Sequence, residues 1–108
     1  MTPLANLGSV IAHALELEAS FQEAAAAQGD GDRVQASRQR AAELARIRRE
    51  AISEMILEPL SGIEAIDLAG LPLAEAQARL AAFYENAADR VTIPAAGRAL
   101  RRLARRCA

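Results

Sequence analysis

AHALELEASFQEAAAA, residues 12–27, returns about 62 positions later as AEAQARLAAFYENAAD, residues 74–89. Phe21 and Phe83 occupy the same place in the two copies, and a glutamate follows each of them two residues later. A shorter match comes in the same order, because the Leu-Ala-Arg of residues 44–46 recurs at 103–105. The chain therefore contains two similar pairs of helical segments, which predicts a four-helix bundle built from two helical hairpins.

Capping residues and prolines along the sequence set the predicted helix ends. Thr2 followed by Pro3 is typical of a helix start, and Asp32 with Gln35 matches a capping box. Pro59 is expected to end the second helix, because proline cannot continue one. The predicted fold class is all-α, a single-domain up-and-down bundle over residues 1–108 with helices over 3–28, 33–58, 73–90 and 94–107.

Composition limits the classes of protein to consider. All thirteen basic residues are arginine, and the net charge of −1 gives no general attraction to nucleic acid, so a nucleic acid partner is not expected. The single cysteine excludes an internal disulfide and fits a reducing compartment. The first residues have no basic segment before their apolar stretch, which argues against a secretory signal or a membrane span. We expect a cytoplasmic protein without membrane association.

Three segments resemble one known family. ALELEASF (14–21), AAFYENAA (81–88) and LARIRREA (44–51) are similar to segments of the rubrerythrin and ferritin-like superfamily. The resemblance implies a bundle in which each A-type helix supplies a Glu and each B-type helix a Glu-x-x-His, and together they hold two irons. Such a site would activate oxygen or peroxide, or oxidise Fe(II).

The positions implied by this resemblance have mostly lost their ligands. Glu18 lies seven residues from both Ile11 and Ala25 on the apolar stripe, but its counterpart in the second repeat is Leu80. The family's Glu and His positions on the second helix fall at Arg48 and Ala51. The corresponding position on the last helix is Cys107, and the second Glu-x-x-His is missing. A di-iron site within one chain is therefore not expected.

Two interpretations of Glu18 follow. If it is buried, Arg48 is the expected partner, because burying one charge without the other would be costly. Alternatively, Glu18 lies at the edge of the bundle and its carboxylate reaches water. In the first case Glu18 and Arg48 form an ion pair in the core.

Other charged residues offer two further candidate sites. A metal site between subunits, with iron as the cofactor, would use His13, Glu16, Glu18, Glu50 and Glu54. The arginines near the C-terminus are either a solvated helix end or a surface for an anion or an acidic protein partner. They are Arg98, Arg101, Arg102, Arg105 and Arg106.

The sequence as a whole favours a non-catalytic structural or protein-interaction module over an enzyme, with no cofactor. The alternative is an iron-binding protein or di-iron oxidoreductase whose site forms between subunits. Several apolar residues exceed what the inward stripes need, and a homodimer would bury them. They are Leu17, Ile56, Leu60, Ile63 and Leu68.

Overall fold

The computed structural model describes residues 2–50 and 57–107. This part of the chain contains four α-helices: α1 (Leu7–Ala27), α2 (Gly31–Glu50), α3 (Leu73–Arg90) and α4 (Pro94–Cys107). The all-α prediction is confirmed there, and the bounds of α3 and α4 match the predicted helices. Residues 51–56 of the predicted second helix lie outside the described residues, while Leu57 and Glu58 form a turn and a bend rather than helix.

Helix α1 begins at Leu7, so the predicted start at residue 3 is wrong. Asn6 caps the helix, because its Oδ1 accepts the Ser9 N–H at 2.8 Å and the Ser9 Oγ accepts the Asn6 N–H at 3.1 Å. The preceding residues are extended, and Leu4 donates its N–H to the carbonyl of Ile63 at 2.9 Å. Their backbone is therefore paired with a distant segment of the chain instead of forming a helical turn.

Helix α2 is capped by Asp30, two residues before the predicted capping box. The Asp30 Oδ1 accepts the Arg33 N–H at 3.1 Å, and Oδ2 lies 2.7 Å from the Arg33 Nη1. Gly29 precedes the cap with φ of +70°, a left-handed conformation that closes the short turn after α1. Asp32 is already inside the first turn of α2, so the predicted box of Asp32 and Gln35 is wrong.

Helix α1 packs against α2 and α3. The His13 ring lies 5.7 Å from that of Phe83, whereas Phe21, further along α1, lines a cavity together with Leu73 at the start of α3. Positions later in α1 thus meet earlier positions in α3. These two helices are antiparallel.

Helix α4 packs against α3 and α2. Gln77, near the start of α3, accepts a hydrogen bond from Arg33 and donates one to the carbonyl of Cys107. The start of α2 therefore lies near the end of α4, and Glu43 meets Arg102 further along the same pair. Helix α1 is antiparallel to α2, to which a short turn joins it, and also to α3, so α2 and α3 run in the same direction. These two helices lie diagonally opposite each other, because each of them packs against α1 and α4. This order differs from the alternating directions of the predicted up-and-down bundle.

A long connection links these two parallel helices, and we call its described part, residues 57–72, the crossover. Leu60 donates its N–H to the carbonyl of Ala5 at 2.7 Å, and Ile66 donates its own to the Nε2 of His13 at 3.0 Å. On the other side, the amide of Asn86 donates to the carbonyl of Gly62 at 3.0 Å. The crossover therefore covers α1 and α3, and the bundle has three layers: crossover, α1 with α3, and α2 with α4.

The core accounts for the apolar residues from which a homodimer was predicted. Leu17, Ile63 and Leu68 are buried within the chain, Leu60 is half-buried, and Ile56 lies outside the described residues. Among residues 2–50 and 57–107, the one large apolar side chain that is exposed is Leu57, at 68%. An apolar surplus therefore gives no support to a dimer. No helix in the same residues combines the length and apolarity needed to cross a membrane.

Candidate functional site

A carboxylate lies in the centre of the bundle. Glu18 is 0% exposed and shares the inward stripe of α1 with Ile11 and Ala25, which are also buried. Its position follows from the seven-residue spacing, which returns a side chain to nearly the same face of a helix. The interpretation in which Glu18 reaches water at the edge of the bundle is therefore wrong.

Side chains from two other helices donate hydrogen bonds to this carboxylate. Ser37 Oγ donates to Oε1 at 2.6 Å, Arg40 Nε donates to Oε2 at 2.9 Å, and Tyr84 Oη donates to the same Oε2 at 2.5 Å. Ser37 and Arg40 are three residues apart on α2 and so share one face, while Tyr84 comes from α3. We call these four residues the Glu18 cluster. It ties α1, α2 and α3 together at one point.

The predicted partner of Glu18 was Arg48, and the structure corrects this to Arg40. Arg48 is exposed near the end of α2, about two turns beyond the cluster. A signal for the right residue was present, since Ser37 and Arg40 continue the spacing of Leu44 and Ile47 backwards along α2. All four of these residues are buried.

The environment of Arg40 keeps its guanidinium charged. Burial disfavours the cation, but the hydrogen bond to Glu18 and the attraction of that carboxylate outweigh burial and raise the pKa of Arg40 above its usual value. The guanidinium carbon also lies 5.4 Å from the centre of the Phe21 ring, within the range of a cation–π contact. The Nη2 of Arg40 has no hydrogen-bond partner in the described part of the chain.

The Tyr84 hydroxyl and the Cys107 thiol, near the Glu18–Arg40 pair, both have raised pKa values. Burial, then the charge of Glu18 and the hydrogen bond to it, raise the pKa of Tyr84 well above its usual value. Burial likewise raises the pKa of the Cys107 thiol, to about 11. Both groups are therefore protonated at neutral pH, and Cys107 is a poor nucleophile and a poor metal ligand in this state.

The four core positions implied by the ferritin-like resemblance do not fit a di-iron site. Glu18 already accepts three hydrogen bonds, and Leu80 is an apolar residue in the core. Arg48 is exposed and carries the wrong charge, while Cys107 holds its proton. A di-iron site of this kind is built from carboxylates and imidazoles, and Glu18 is the one such group among these four positions.

The ligand set predicted for a metal site between subunits is dispersed. The Nε2 of His13 accepts the Ile66 N–H, and the neighbouring Glu16 is 81% exposed, with Oε2 3.9 Å from the His13 Nδ1. Glu50 is exposed at the end of α2, and Glu54 lies outside the described residues. Within residues 2–50 and 57–107, no three His, Cys, Asp or Glu side chains converge on a possible metal position.

The five arginines of α4 divide into two groups. Arg101 contacts Glu85 at 2.7 Å and Asp89 at 2.6 Å, and Arg102 contacts Glu43 at 3.1 Å, so this pair holds α4 to α3 and α2. Arg98, Arg105 and Arg106 are exposed and have no ionic partner among the residues that the structure describes. Three of the five are therefore available to an anionic partner.

The chain matches no protein-family model, no curated protein and no solved structure.

Proposed function

We propose that this chain is a non-catalytic helical bundle that serves as a structural or protein-interaction module, and that it is ferritin-like with the di-iron site lost. One observation carries the proposal: three protein donors already engage the Glu18 carboxylate, and one of them is the cation Arg40. A metal at Glu18 would meet the positive charge of Arg40 and would displace one of these donors, Ser37 at Oε1 or Arg40 or Tyr84 at Oε2. The released donor would then be buried without a partner, which costs free energy.

The order of the helices supports the ferritin-like part of the proposal. A single long crossover joins two helices that run in the same direction across the diagonal of the bundle, and one such connection is typical of ferritin-like bundles. The internal repeat agrees with an origin from two similar hairpins. In this interpretation the guanidinium of Arg40 supplies the positive charge that metal cations supply in iron-binding relatives.

The exposed charges support the interaction role. Several arginines of α2 and α4 extend into solvent without an ionic partner among the described residues. Arginine presents a planar fork that matches carboxylates in two-point contacts, which suits it to protein interfaces.

Iron loading tests the proposal directly. The purified chain would be incubated anaerobically with Fe(II), desalted and assayed for iron by elemental analysis, and for Fe(II) oxidation after oxygen is admitted. We expect no retained iron and no oxidation above the protein-free rate. Glu18→Ala and Glu50→Ala would be compared with Glu75→Ala, which removes an exposed carboxylate outside the candidate ligand set.

One result would overturn the proposal in favour of iron handling. Retention of about one iron per two chains or more, lost in Glu18→Ala or Glu50→Ala but kept in Glu75→Ala, would assign a metal site shared between subunits.

A further inference from the structure

Although the net charge of the chain is small, positive and negative charges are unevenly distributed between its helices. Helices α2 and α4 carry eleven of the thirteen arginines but three of the fourteen acidic residues, a net charge of +8. Because the whole chain carries −1, everything outside these two helices carries −9. Nearly all the positive charge is thus placed in one layer of the bundle.

The arginine-rich layer and the crossover lie on opposite sides of the molecule. Helices α2 and α4 are neighbours, as the contact between Glu43 and Arg102 shows, and they form one outer layer. The crossover forms the other, since it is bonded to the segment before α1, to His13 and to Asn86. The layer of α1 with α3 separates them.

Six exposed arginines of the outer helical layer have no ionic partner among the described residues, and we call them the basic face. They are Arg38, Arg48, Arg49, Arg98, Arg105 and Arg106.

Five exposed carboxylates on the opposite side are likewise without an arginine partner in the described residues, and we call them the acidic face. Glu16 shares a side of α1 with His13, which contacts the crossover, and Glu23 follows Glu16 by seven residues. The members are Glu16, Glu23, Glu58, Glu64 and Asp67.

We propose that the basic face of one copy docks against the acidic face of a second copy. Charge complementarity supports this occupant, because the chain itself presents the matching carboxylates in nearly equal number. Arginine and carboxylate also form the strongest two-point hydrogen bonds available to side chains. The inference deepens the proposed interaction role and rests on it.

The contact is heterologous, since different surfaces of the two copies meet. Each docked copy still presents one unused face, so further copies add head to tail until a ring closes or a filament grows. Because the interface is built from exposed charges, salt should weaken it strongly.

Sedimentation velocity of the full chain over a range of concentrations tests the proposal. We expect the mean mass to rise with concentration at about 20 mM NaCl and to return to the 11.5 kDa monomer at about 500 mM NaCl, where charges are screened within a few ångströms. Arg106→Glu should weaken association about tenfold or more, which corresponds to about 1.4 kcal/mol. Arg79→Glu makes the same charge change on α3, where it lies beside Glu64 and adds to the acidic face, so it should not weaken association.

Mixing two variants gives the sharper test. Arg105→Glu/Arg106→Glu disables the basic face, and Glu64→Arg/Asp67→Arg disables the acidic face, so each variant alone should be monomeric. Mixed, the intact basic face of the second should bind the intact acidic face of the first. The product should be a 1:1 pair of about 23 kDa, twice the mass of one chain, that grows no further. Circular dichroism would check that both variants remain helical, and either one alone tests the same contact if the other fails to fold.

Three results would overturn the proposal: a monomer at low salt, association that salt does not weaken, or variants that fail to complement. A monomer that instead binds a single-stranded oligonucleotide, with binding lost in Arg105→Glu/Arg106→Glu, would assign the basic face to nucleic acid. An iron-free monomer would overturn only the docking of one copy on another, and the interaction role would then involve a different partner. Stoichiometric iron would overturn the interaction role itself.

Discussion

Arg40 and Glu18 form a salt bridge of 2.9 Å between two side chains that are 1% and 0% exposed. Removing two charges from water costs several kcal/mol each, and their attraction offsets this only when further hydrogen bonds complete the arrangement. Ser37 and Tyr84 supply such bonds to the carboxylate. The pair is therefore better understood as fixing how α1, α2 and α3 align than as a large source of stability.

A double-mutant cycle measures this coupling. Glu18→Leu leaves the Arg40 guanidinium buried without its anion, and Arg40→Leu leaves the carboxylate without its cation, so each should lower the free energy of unfolding by about 3–5 kcal/mol. The double variant removes both charges and should lose clearly less than the sum of the two single losses. Urea unfolding of the four proteins gives the coupling energy.

The exposed pair of Glu75 and Arg79 serves as the matched control for this cycle. Each single replacement there should change the free energy of unfolding by less than about 1 kcal/mol, because water screens the pair. Additive losses for Glu18 and Arg40 would show that the buried contact contributes no coupling.

Tyr84→Phe isolates the third donor to the carboxylate. The change removes one hydroxyl and its hydrogen bond to Oε2 of Glu18 while keeping the ring in the core, so we expect a loss of about 1.5–3 kcal/mol. In the Glu18→Leu background the hydroxyl has already lost its acceptor, and the same change should cost much less. Equal losses in the two backgrounds, measured by urea unfolding, would show that the Tyr84 hydroxyl acts independently of Glu18.

The spacing of apolar residues and the positions of prolines made part of this fold predictable. Pro94 begins α4 and Pro72 directly precedes α3, and both of these helices have the predicted bounds. The stripe of α1 also made the inward position of Glu18 one of its two predicted positions. These features depend on neighbours in sequence, which a single sequence records.

The remaining features depend on residues far apart in the chain. Thr2 and Pro3 satisfy the local rules for a helix start, yet this segment pairs with Pro59 and Glu64 in the crossover. Arg40 and Arg48 are equally good cations, and the ferritin-like resemblance implies Arg48. What distinguishes them is which face of α2 meets Glu18, and that is decided by the packing of three helices.

The true start of α1 gives a paired test of capping. Asn6→Ala removes the side-chain acceptor of the Ser9 N–H and should cost about 1 kcal/mol. Thr2→Ala is the control, because Thr2 is exposed and its backbone carbonyl, which accepts the Ala65 N–H, is unchanged. Thermal unfolding of the two variants compares the sites, and a larger loss for Thr2→Ala would contradict the assignment of Asn6 as the cap.

Stability should fall in alkaline solution, and the composition makes the cause easy to isolate. The chain has no lysine, one tyrosine and one cysteine, so few groups titrate between pH 9 and pH 12. An unfolded Cys107 loses its proton near pH 9, whereas burial raises the pKa of the folded thiol to about 11. Between these values the unfolded state binds fewer protons than the folded state, so the free energy of unfolding decreases as pH rises. The raised pKa of Tyr84 acts in the same direction at higher pH.

Urea unfolding at several pH values from 7.5 to about 11 measures this loss, and we expect Cys107 to contribute about 1–3 kcal/mol of it. Cys107→Ala should make the decline shallower from pH 9 upwards and leave the part that Tyr84 causes. Tyr84→Phe should keep the first part of the decline and remove the later part. If both variants lose stability with the same slope as the parent chain, the alkaline loss arises from groups other than these two buried ones.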